Sequence, residues 1–76
     1  MPPVHSLHSG DLPRRIRALM ADQAITVSAL ARNLGWERTR VHRRIHGWTP
    51  ITIDELIKLA DALHVPVSEL LAERAA

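Results

Sequence analysis

The 76-residue sequence contains no cysteine. This excludes a disulfide framework and any thiolate metal site. No apolar run approaches the ~20 residues that a membrane span requires. The opening MPPVHSLHSG has no positive region followed by an apolar core, so it does not read as a signal peptide, and a cytoplasmic protein is expected. Internal repeats and low-complexity segments are absent. Lysine occurs once, at Lys58, so the cationic character rests on arginine.

The apolar fraction, 46%, is ordinary for a globular chain and too high for a disordered one. At this length one domain with a small core is expected. The net charge of +2 conceals a strong asymmetry. Residues 1–31 carry +1, residues 32–48 carry five arginines and one glutamate for +4, and residues 49–76 carry −3. A polyanion would orient itself by that distribution. The plainer reading of the same charges is a solvated helix face.

The organising stretch is Thr26 to Gly47, TVSALARNLGWERTRVHRRIHG. Val27, Leu30, Ala31 and Leu34 recur at i, i+3, i+4 and i+7, which makes one apolar helical face. Thr26 precedes that face as an N-cap, and Gly35 follows it as a left-handed terminator. Trp36 plugs the corner. A second helix is expected from about Glu37 to His46, ending at Gly47. Its apolar residues are chiefly Val41 and Ile45, at i and i+4. At ~100° per residue, Thr39, Arg43 and His46 lie opposite them, flanked by His42 and Arg40, with Arg38 at one edge of that face.

Elsewhere the chain reads simply. Residues 1–10 are expected to form a flexible arm. Asp11 caps a first helix with Pro13 in its opening turn. Leu12, Ile16, Leu19 and Met20 form its core stripe, with Arg14, Arg15 and Arg17 away from the stripe's centre. After Gly47 a loop runs through Trp48, Thr49, Pro50 and Ile51. Thr52 and Glu55 form a capping box. Leu56, Leu59, Ala60 and Leu63 then repeat at helical spacing, with Ile53 and Ile57 beside them. Val65-Pro66 opens a last helix with Leu70 and Leu71 facing inward. The expected fold class is all-α, with five short helices and no strand.

The order helix, glycine corner, basic helix, glycine resembles the helix-turn-helix of the phage Cro and repressor type, also called Xre-like, whose fold is the lambda-repressor-like DNA-binding domain. Thr49-Pro50, Asp54-Glu55-Leu56, Leu59-Ala60, Ala62-Leu63, Val65 and Ser68-Glu69-Leu70-Leu71 match the tail of that family, so the resemblance covers Leu12 to Leu71. It implies a helix-turn-helix domain over 11–76 behind the arm. It also implies that the second helix of the pair enters the major groove of DNA by its N-terminal part. Arg38, Thr39, His42 and Arg43 then occupy the base-reading positions. Thr26, Val27 and Ser28 meet a phosphate through the free amides of a helix start. Arg40, Arg44, His46, Trp48 and Thr49 lie toward the backbone at the far end. Four departures from the family pattern stand out. Glu37 replaces the usual serine or threonine cap, where it favours the helix dipole. Arg44 and Ile45 exchange the usual apolar and acidic residues. Trp48 replaces a basic residue, and either stacks on a sugar or packs on Ile51. His64 stands where glycine is common and left-handed backbone is expected.

The function that follows is a sequence-specific, double-stranded DNA-binding repressor or regulator, most like a Cro-type or immunity-type phage protein. An antitoxin or bacterial regulator of the same fold is the nearest alternative. A protein-interaction module with a basic face is the alternative from another class. A homodimer on an inverted-repeat operator is expected, with Val67, Leu70, Leu71 and Ala75 of the last helix as the candidate contact; the plainer reading is that Leu70 and Leu71 seal the domain with Val67 as cover. No cofactor, metal or membrane is expected. His42 and His46 have the i, i+4 spacing that can hold zinc, and His5 and His8 also pair, but no carboxylate completes a ligand set at His42 and His46. Nothing suggests a nucleophile elbow or a substrate pocket, so no enzyme activity is expected.

Overall fold

The computed structural model describes residues 11–71. The expected arm, His5 and His8, the side chain of Asp11, and Ala75 lie outside that description. Five helices follow in order: α1 (Asp11–Gln23), α2 (Val27–Leu34), α3 (Arg38–Ile45), α4 (Ile53–Ala62) and α5 (Val67–Leu71). Among the described residues there is no strand. The second helix of the pair is one residue shorter at each end than expected, because Glu37 and His46 serve as its caps.

The helix starts follow local chemistry. Thr26 Oγ1 accepts from the Ala29 amide at 3.0 Å, which satisfies one orphan donor of α2. At α4 the capping box is complete. The Glu55 amide donates to Thr52 Oγ1 at 3.1 Å, and the Thr52 amide donates to Glu55 Oε1 at 3.0 Å.

The helix ends share one device. Ala24, Gly35, Gly47 and His64 all have positive φ, between 57° and 76°. After each, the next amide reaches back five residues: Ile25 to Met20, Trp36 to Ala31, Trp48 to Arg43 and Val65 to Ala60, at 2.8–3.0 Å. This satisfies carbonyls that the helix leaves open. Gly35 adopts the conformation without cost, whereas Ala24 and His64 carry a Cβ into it.

The core draws on every helix. Leu12, Ile16 and Met20 of α1 meet Leu30 and Ala31 of α2, Val41 and Ile45 of α3, Leu56, Leu59 and Ala60 of α4, Leu63, and Leu70 of α5. The expected stripe of α1 is therefore nearly complete, with Leu19 only half-buried against it. The last helix departs from expectation: Leu70 is 2% exposed, but Leu71 is 37% exposed. Neighbouring residues on a helix stand ~100° apart, so a five-residue helix on one core cannot seat both. Trp36 is half-buried against the core, as its corner position predicts.

α1 also terminates other helices. Arg17 donates to the Ile45 carbonyl at 2.6 Å, at the end of α3, and Gln23 donates to the Leu63 carbonyl at 2.7 Å, just past α4. A cation at a helix C-terminus is favoured by the dipole. The Arg17 bond, with Val41 and Ile45 buried beneath, fixes α3 while Arg38, Thr39, His42 and Arg43 face outward.

Candidate nucleic-acid interface

α2 and α3 present their N-terminal ends to one open groove of about 450 Å³, lined by Thr26, Val27, Ser28, Arg38, Thr39 and His42. The groove joins three of the residues expected at base edges to Thr26, Val27 and Ser28, the three expected to meet a phosphate at the start of α2. Arg43, the fourth base-edge candidate, is exposed on α3 one turn beyond Thr39. Its guanidinium makes no hydrogen bond or ion pair with another described residue.

The groove floor has unused donors. Ala29 donates to the Thr26 hydroxyl and Leu30 to the Thr26 carbonyl, so Val27 and Ser28 keep free amides at the start of α2. At α3, Glu37 is an N-cap by backbone geometry, φ −74° and ψ 148°, but its carboxylate makes no capping bond. Arg40 and Val41 donate to the Glu37 carbonyl, which leaves the Arg38 and Thr39 amides open. Two helix N-termini, each favourable to an anion, thus open on the same space. Arg38 leans across it and donates to Ser28 Oγ at 3.3 Å.

Arg40 and Arg44 occupy another environment. Both are tied to Glu55 of α4. Arg44 donates through Nε to Oε1 at 3.1 Å and through a terminal nitrogen to Oε2 at 2.9 Å, and Arg40 donates to Oε2 at 2.9 Å. The Arg40 guanidinium also lies over the Trp36 ring, 4.0 Å from its centroid. The phosphate role expected of these two arginines therefore competes with a carboxylate that already holds them. Glu55 is only 6% exposed. Burial pushes its carboxyl up, but hydrogen bonds from Arg44, the Thr52 amide and Arg40, with the Arg44 charge, outweigh this and hold it at about 2. Sequence reasoning placed Glu55 in the capping box and missed its second role. The available signal was the i, i+4 spacing of Arg40 and Arg44 on the flank beside the apolar stripe, since a buried carboxylate needs such partners.

At the far end of α3, His42, His46 and Trp48 form a ring cluster. The two imidazoles are 4.4 Å apart, and the edge-on contact of His42 with Trp48 is 5.2 Å. Trp48 is 69% exposed, so its ring stands on the histidines rather than sealing the corner. Thr49 is half-buried behind it, its amide donating to the Arg43 carbonyl at 3.3 Å. The His46 pKa is lowered by desolvation, then by the charges of His42 and Arg17. Arg17, on α1, brings a further cation to this end of α3, a placement that a helix-by-helix reading of the sequence misses. Among the described residues no group of three or more histidines and carboxylates gathers as a metal site. No helix among them is long and apolar enough to cross a membrane.

Residues 15–72 match the family model of the Cro/C1-type helix-turn-helix DNA-binding domain, which is more than half of the chain. Comparison with individual curated proteins and with solved structures finds no match.

Proposed function

This chain belongs to the Cro/C1-type helix-turn-helix DNA-binding family, and we propose that it is a sequence-specific transcriptional repressor or regulator that reads an inverted-repeat operator as a homodimer. A DNA-binding regulatory domain is what family membership establishes. The residue roles, the sign of regulation and the dimer are our reading. The observation that carries it is the shared groove, in which two helix N-termini with free amides flank Arg38, Thr39 and His42.

In the docking mode of such domains, the N-terminal part of α3 lies in the major groove. Arg38 exchanges its bond to Ser28 for a guanine, and Arg43 reaches a second base. Arginine suits this task because its two parallel donors match guanine O6 and N7. Thr39 offers a hydroxyl or a methyl, and His42 donates to a purine N7. A phosphate accepts from the Val27 and Ser28 amides, with the Ser28 hydroxyl freed by Arg38. Thr26 supports that contact by capping the helix. His46, Trp48 and Thr49 meet the backbone at the other end.

The homodimer is supported by addressing and by surface. One module covers roughly 600–1,000 Å² and reads few base pairs, so a single half-site is a poor address among a million or more competitors. Exposed apolar side chains available for such a contact are Leu71 on α5, one turn from half-buried Val67, and Ile53 and Ile57 on α4. Leu70 is consumed by the core and does not contribute. A Cro-type or immunity-type phage regulator acting in the bacterial cytoplasm is the closest functional description.

The test is selection of binding sites from random duplexes, followed by binding measurements across salt concentrations and determination of stoichiometry. We expect an enriched inverted repeat, salt-sensitive affinity and two copies bound per site. Binding that shows no sequence preference overturns the specific reading. A single copy on a non-palindromic site, with no second copy at higher concentration, overturns the dimer.

A further inference from the structure

Four arginines lie within seven residues of α3 and its start, but they do not share an environment. Arg38 points into the groove and Arg43 into solvent, whereas Arg40 and Arg44 converge on one buried carboxylate. The division has a consequence for recognition. Phosphate contacts add affinity for every duplex alike, and base contacts add it only for the right one. A helix that offered all four cations to the backbone would bind any DNA more strongly and discriminate less. An acid behind α3, itself held in the α4 capping box, ties up two of the four.

We propose that Glu55 is a specificity-determining residue, which withholds Arg40 and Arg44 from the DNA backbone and so keeps non-specific binding weak. Three features of its geometry support this role. Glu55 receives Arg44 through two nitrogens, a bidentate arrangement that fixes the guanidinium plane. Arg40 is held twice, by Glu55 Oε2 and by the face of Trp36. The carboxylate is anchored independently of both arginines by the Thr52 amide, so it does not follow them if they move. Arg40 remains the more accessible of the pair, with 43% of its side chain exposed against 17% for Arg44, and it is the cation that an altered Glu55 would release first. This inference rests on DNA binding through the α2–α3 face.

The experiment compares the full chain with Glu55→Gln and with Glu55→Gln combined with Arg40→Gln, on random duplex and on a selected operator, across monovalent salt. Glutamine keeps an oxygen for the Thr52 amide and removes the charge. Glu55→Gln should bind random duplex several-fold more tightly at low salt. The slope of log K against log salt should steepen by about 0.9 for each arginine released. The ratio of operator to random affinity should fall, and the double variant should reverse the slope change by about 0.9, the share of Arg40. These shifts require charge at the backbone, so a merely structural role for Glu55 does not produce them. A folded Glu55→Gln chain with the parent's slope and random-duplex affinity overturns the proposal. If the variant does not fold, the guanidinium resonances of the parent chain decide. On adding duplex, Arg38 and Arg43 should shift while Arg40 and Arg44 keep their free-protein signals. Equal shifts in all four overturn it. A parent chain that binds no duplex at all refutes the DNA-binding reading itself, which is a different outcome.

Discussion

Replacing Glu55 by glutamine should cost about 2–3 kcal/mol of stability at pH 7 and almost nothing at pH 2. The folded carboxyl is lowered from an ordinary 4.5 to about 2. At about 1.4 kcal/mol per unit, this difference corresponds to about 3 kcal/mol favouring the folded state once the group is ionised. The sign follows from the direction. A depressed folded pKa means that the contribution is complete above about pH 4.5 and is lost as pH falls from there to about 2. Glutamine retains the Thr52 bond but leaves Arg44 largely buried without a counter-charge. Breaking a fully buried pair costs about 3–5 kcal/mol, and the exposure of Arg40 reduces that figure here. For a chain of this size, total stability is of order 4–11 kcal/mol, so the loss is large enough to measure. Urea unfolding at several pH values, followed by the fluorescence of half-buried Trp36, is the assay. Stability curves of parent and variant should converge as pH falls. A variant within about 0.5 kcal/mol of the parent at pH 7, or curves that stay parallel down to pH 2, would refute the reasoning.

Other consequences can be checked separately. Arg43→Ala and Arg38→Ala should each cost about 1–3 kcal/mol on the best operator and less on random DNA, and equal losses on both would reassign them to phosphate. Affinity for DNA should rise as pH falls from about 8 to about 6, because a phosphate at the far end of α3 favours the charged imidazole of His46. For His46 the rise should be weighted to the acid end, because desolvation, His42 and Arg17 lower its pKa in the free protein. An unchanged pH profile after His46→Gln would remove that residue from the interface. Ala24→Gly and His64→Gly should each stabilise the fold by about 0.5–1 kcal/mol, since each relieves a left-handed residue with a Cβ; thermal unfolding that shows no gain would contradict that accounting.

Much of the fold is legible where its cause is local. Thr26, Gly35, and the pair Thr52 and Glu55 announce their caps within three or four residues, and the stripes of α1, α2 and α4 follow from spacing alone. The left-handed His64 is legible from the family pattern. Ala24 is not, because alanine carries no turn signal and the conformation is imposed by the packing of the helices it joins. The shared groove follows from Thr26 and Gly35 setting the corner, so its residues are legible as a group. What the sequence conceals is long-range. Arg17 reads as a residue off the stripe of α1 and in fact closes the end of α3, and Gln23, which reads as part of the connection to α2, ends α1 and donates to the carbonyl just past α4. Glu55 reads as a cap, and only the approach of α4 to α3 makes it the acceptor for Arg40 and Arg44. Leu71 reads as core, and the short length of α5 leaves it outside.

Amide chemical-shift mapping on a selected operator duplex shows which face of the protein meets DNA. The largest changes should fall at Thr26, Val27 and Ser28, along Arg38 to Arg43, and at Trp48 and Thr49, with little change on the outer face of α4 at Lys58 and Asp61. Changes concentrated on α4 and α5, with the α2–α3 groove silent, would contradict DNA binding through that groove.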